Sequence, residues 1–166
     1  MMQPAAIVAL ALALPAGDAG AQAGYWLPLG YTAENGGRAV LVSPASDRLR
    51  YAIAATARFR DASGKALPSP TVDYVYTVVD CIGQTYQPFR RVRVSAATPD
   101  QPERTELSDP ATPFAEPGAT PPPGPLSIVC GKARPALQGA LTAEDLTREA
   151  RWQALAAAQT SDSLPR

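Results

Sequence analysis

Two cysteines, Cys81 in "YVYTVVDC" and Cys130 in "PLSIVCG", are the residues of this chain whose chemistry is most legible. Thiols serve as a disulfide, as a redox pair or as metal ligands. Neither a C-x-x-C spacing nor any histidine is present, so the redox and metal readings lack their usual partners. In an oxidising compartment one intramolecular pairing is open, Cys81 with Cys130. Closing so long a loop contributes about 4 kcal/mol in the chain-entropy model. That is a large part of the roughly 5–15 kcal/mol that holds a domain folded.

Carboxylates are the next candidates. Glu103 with Glu106, and Glu144 with Asp145, are close enough in sequence for an acid–base pair of the glycosidase kind. Solvation in a proline-rich segment and capping of a helix start account for them more simply. Asp80 abuts Cys81 and ends a strand. A pocket gathering Asp73 or Asp80 with Tyr74 or arginines would make an enzyme or an enzyme inhibitor. The set Tyr74, Tyr76, Tyr86 and Phe89 would suit a small-ligand carrier, although such a stripe is more often core. Without histidine, Ser-His-Asp and Cys-His machinery is missing. The sequence also contains no phosphate-cradling glycine loop, nucleophile elbow or metal cluster. The expectation is a non-catalytic protein with no cofactor and no metal.

The elements that position these residues follow an export signal. An apolar run from Ala5 to Leu14 precedes the small-residue stretch "AGDAGAQA". Ala21 and Ala23 fit the A-x-A rule and predict a signal peptide over 1–23. The n-region carries no Lys or Arg, the one departure from the pattern. The run is shorter than the about 20 residues that span a bilayer, and no cysteine follows it to carry a lipid. The mature chain is therefore expected to lack a transmembrane segment and to reside in the periplasm or at the cell surface. Its length allows one domain. With 15 basic and 15 acidic residues it has no field to hold nucleic acid.

Period-two alternation dominates the middle of the chain. "GRAVLVSP" reads as a strand bounded by turn residues. In "DRLRYAIAATARFR", Leu49, Tyr51, Ile53, Ala55, Ala57 and Phe59 share one parity, and Arg48, Arg50, Arg58 and Arg60 the other. One face is expected buried and one wet. "TVDYVYTVVDC" is apolar on both parities and predicts a central strand covered on both faces. "QTYQPFRRVRVSA" returns beside it, with Pro88 marking an edge or a bulge. Short turns between these strands predict an antiparallel meander.

From "ATPDQPERTELSDPATPFAEPGATPPPGP" prolines remove donors and predict one extended loop with polyproline II character. "PPPGP" reads either as a ligand for a proline-binding module or, preferably, as a connector, with Phe114 anchoring the loop. "LTAEDLTREARWQALAAAQ" predicts a C-terminal helix over 141–158. Thr142 is its N-cap and Asp145 completes a capping-box pattern. Its apolar stripe is thin, comprising Leu141, Leu146, Trp152 and Leu155. Residues 159–166 read as a tail, and 24–140 as the sheet domain. The fold class is α+β.

The order "GYWLPLG", "AVLVSPAS", "YVYTVVDC", "PFAEPGA", "PLSIVC" resembles the surface-adhesin protein E family of Gram-negative envelope proteins. The resemblance runs from about Tyr25 to Cys130. It implies an antiparallel sheet, a disulfide tying "PLSIVC" to a strand end, and a small envelope protein. Phe114 stands where the family pattern has tryptophan before "PG", and the C-terminal helix lies beyond the match. The expected role is structural or interaction-based. Its partner would be an unspecified envelope or extracellular protein. Contact would come from the sheet edge or from the surface around Trp26, with Tyr74, Tyr76 and Phe114 as further candidates.

Overall fold

The computed structural model describes residues 25–44, 48–113, 125–135 and 137–162. The expected signal peptide, Phe114 with the rest of the proline-rich segment to 124, and residues 163–166 lie outside them. Strands β1 (Leu27–Thr32), β2 (Gly36–Pro44), β3 (Leu49–Arg60), β4 (Ala66–Asp80), β5 (Thr85–Ser95) and β6 (Thr98–Glu106) form an antiparallel sheet in chain order. A two-residue β7 (Thr112–Pro113) continues along β5 past the end of β6. Helix α1 (Pro125–Val129) and helix α2 (Glu149–Asp162) follow. The expected meander with a C-terminal helix is formed, and Cys81 is bonded to Cys130.

Strand β4 is the centre. Its even positions Val72 and Tyr74 are buried on one face and Val79 on the other, as its two apolar parities require. Pro88 sits inside the ladder rather than at an edge. The β4–β5 register steps from Tyr76↔Arg90 to Thr77↔Pro88, skipping Phe89. A bulge at a proline spares the ladder a missing donor.

The first face carries the larger core. Ala39, Ile53, Ala55, Ala57, Val72, Tyr74 and Val92 form a floor, mostly of small side chains, for Trp26, Leu146, Trp152 and Leu155. The two indoles fill the depth that those alanines leave, and α2 is thereby fixed on the sheet. The second face carries a smaller core of Val40, Ala52 and Val79, covered by Val129 of α1 and flanked by both disulfide cysteines. Each helix covers one end of one face, and they lie on opposite sides.

Four elements differ from the sequence reading. Residues 98–106 are strand β6, not loop. The register steps from Arg93↔Glu103 to Ser95↔Thr98, so Pro99 and Pro102 fall in the intervening stretch of an edge strand, where a proline costs little. Residues 27–32 form β1, whose register slips between Pro28 and Gly30. The expected helix over 141–158 is interrupted. Leu141 is held extended in a two-bond bridge with Trp26, and the capping box closes on a 3-10 turn, Asp145–Thr147. The Asp145 amide donates to Thr142 Oγ1 at 3.2 Å, and the Thr142 amide to Asp145 Oδ2 at 2.9 Å. Only after Arg148 does α2 begin, and it runs on to Asp162, beyond the expected end. Finally, Leu49 and Tyr51 share the parity of the buried Ile53 yet are 36% and 38% exposed.

Candidate functional site

The disulfide end of the sheet is a structural junction. Asp80 Oδ1 accepts from the amides of Ile82 (3.1 Å) and Gly83 (2.8 Å), which shapes the turn after β4. Oδ2 accepts from Arg48 Nε at 2.8 Å, with Arg48 Nη2 also in contact. The Cys81 amide donates to the Arg48 carbonyl. The Arg48 hydrogen bond, helped by the Gly83 amide, holds the Asp80 carboxyl down at about 2. Asp80 is thus engaged in closing a turn, and it does not meet Asp73. Asp73 lies on the opposite face of β4 and is committed to Arg93, with Nε to Oδ1 at 2.6 Å.

The candidate contact residues separate. Trp26 is 1% exposed, and its ring lies 5.6 Å from that of Tyr74. Burial pushes the Tyr74 phenol up to about 12. Both rings are core, so the expected contact surface around Trp26 is internal to the fold. Tyr76 is half-buried beside Phe89, with ring centroids 6.2 Å apart at 56°. Burial raises the Tyr76 phenol, while Arg90 and Arg104 pull it back. Phe114 lies outside the described residues. Tyr86 joins the second-face core.

Beyond the reach of α2, no helix among the described residues covers the first face. The registers set Leu41, Ile53 and Tyr76 in one row and Ser43, Tyr51 and Val78 in the next, with Leu49 beyond. Tyr51 and Leu49 are exposed, while Leu41, Tyr76, Val78 and Phe89 are half-buried. The residues make an apolar and aromatic surface on the middle strands. Such a surface binds by burial and by ring contacts. Sequence parity missed Tyr51 and Leu49. The available signal was the thin stripe of the C-terminal helix, too small to cover a whole sheet face.

Among the described residues no group of three or more His, Cys, Asp or Glu side chains is placed to hold a metal ion. No helix among them is long and apolar enough to cross a membrane. Neither a family model, nor a curated protein, nor a solved structure matches the chain.

Proposed function

We propose that this chain is an exported, non-catalytic envelope protein that works by binding another protein through the open half of its first sheet face. One observation carries the reading. Tyr51 and Leu49 stand exposed on a face whose other half is core, so the uncovered part presents apolar side chains on an already rigid frame. Preorganised aromatic anchors bind at low entropic cost. The edges are less suited to strand addition. The β6 edge carries Pro99, Pro102, Glu103, Arg104 and Glu106, which blunt pairing. The β1 edge starts under the Trp26–Leu141 bridge. The disulfide supports an oxidising setting. The resemblance in motif order to the protein E family supports the envelope as that setting.

A photo-crosslinking residue placed at Tyr51 in the envelope fraction tests this. The expected result is a discrete adduct that is lost when the same residue replaces Arg91 on the opposite face. No adduct, or equal adducts at both positions, would remove the reading. Non-reduced intact mass from the same fraction tests export: a chain starting near Gly24 and gaining two hydrogens on reduction is expected.

A further inference from the structure

The half of the second face that no helix among the described residues covers is charged. The registers align Arg38, Thr56, Asp73, Arg93 and Glu103 in one row from β2 to β6. Arg93 engages both oxygens of Asp73, Nε to Oδ1 at 2.6 Å and Nη2 to Oδ2 at 3.2 Å. That two-point pair places one donor on each carboxylate oxygen. Arg58 Nε stands 3.9 Å from Asp73 Oδ2, outside hydrogen-bond range. Arg38 has no acidic partner among the described residues. Its guanidinium lies toward Gly30, where a Cβ would stand 3.8 Å from Nη2. A groove of about 490 Å³ opens at this place, lined by Arg38, Arg58, Thr32, Asn35 and Thr56. Arg38 pairs with Thr56, and Arg58 is the next residue of β3 on that face. The two arginines are therefore diagonal neighbours, starting about 7–8 Å apart.

We propose that this groove binds a phosphate- or sulfate-type oxyanion between the guanidinium groups of Arg38 and Arg58, with the Thr56 hydroxyl as a further donor. Asp73 makes its short contacts to Arg93 and only a 3.9 Å ion pair to Arg58, so an oxyanion would have to draw Arg58 from the weaker of the two pairs. Two forked cations lining one groove match the tetrahedral oxygens of a dianion better than a single point charge does. Gly30 faces Arg38 across the β1–β2 ladder, next to the register slip of β1. The ligand group would arrive either on a small soluble molecule or on a lipid headgroup.

Amide NMR of the disulfide-bonded protein, titrated with inorganic phosphate against sodium chloride at matched ionic strength, tests the site. Shifts confined to Gly30, Thr32, Asn35, Arg38, Thr56 and their neighbours are expected. Arg38→Ala and Arg58→Ala should each weaken binding about tenfold or more. Arg91→Ala, on the same face but outside the groove, should leave it unchanged. Phosphate shifts no larger than those of chloride, or shifts that survive both groove variants, would overturn the proposal. A vesicle arm with phosphatidic acid separates the sources. Co-sedimentation lost in Arg38→Ala marks a headgroup, and phosphate binding without co-sedimentation marks a soluble ligand.

Discussion

The indole of Trp152 lies directly on the backbone of Gly37, where a Cβ would stand 2.3 Å from Cε2 and 2.4 Å from Cδ2. The missing side chain on β2 thus sets how closely α2 approaches the sheet. Gly37→Ala should lift the helix and cost about 3 kcal/mol. The urea midpoint and the tryptophan fluorescence should move together. A variant as stable as the parent would show that α2 is not held by this contact.

Reducing the Cys81–Cys130 bond should cost about 4 kcal/mol by loop entropy, given its sequence separation of 49. The five residues of α1 are too few to stay helical alone. Hydrogen exchange after reduction should therefore rise first at Val129, Val40 and Val79. The Trp26 and Trp152 end should stay protected longer.

Acid should act through Asp80. Its folded value of about 2 lies below the ordinary 3.8, so folding favours the charged form. The stability it supplies is complete above about pH 4 and is lost as pH falls through about 2. Asp80→Asn keeps an acceptor for the Ile82 and Gly83 amides but loses the Arg48 ion pair. Its acid-unfolding curve should be flatter in that window, with no change in slope at neutral pH.

Alkali should act through Tyr74. Burial raises its phenol from 10.0 to about 12, so folding favours the neutral form. This contribution is complete below pH 10 and drains as pH rises toward 12. Tyr74→Phe should change stability by less than about 1 kcal/mol at pH 7 and should hold the fold longer at pH 11. Phenolate absorbance followed with pH reads the group directly.

The open aromatic face predicts a separation of function from stability. Tyr51→Ser, at a side chain 38% exposed, should shift stability by no more than about 0.5 kcal/mol. Under the proposed function it should nevertheless remove most capture of a protein partner. Loss of capture accompanied by unfolding would instead make Tyr51 part of the core.

Much of the sheet was legible because alternation reports which side chains share a face. Ile53, Ala55, Ala57 and Phe59 are buried together as their parity requires, and Pro88 marks a bulge. Parity does not report what covers a face. Leu49 and Tyr51 obey the same alternation and remain exposed, because α2 ends short of them. Strand β6 was hidden for another reason. Proline reads as a strand breaker, yet on an edge it withholds a donor that no neighbour needs. The capping box of Thr142 and Asp145 was correct as local chemistry. The helix start it implied was not, because the bridge from Leu141 to Trp26 is a contact across more than a hundred residues, beyond any local signal.

That bridge also sets an order in time. Along the path β1 to β6 each strand pairs with its sequence neighbours, with β7 added beside β5, so hairpins can assemble one after another as the chain is made. The indole of Trp26 has no such neighbour to wait for. Its cover, Leu141 with Leu146 and Trp152, arrives last. Until the C-terminal segment is released, the first strands carry an uncovered tryptophan. A chain stalled before Leu141 would present that ring to chaperones or proteases as the mark of an unfinished molecule.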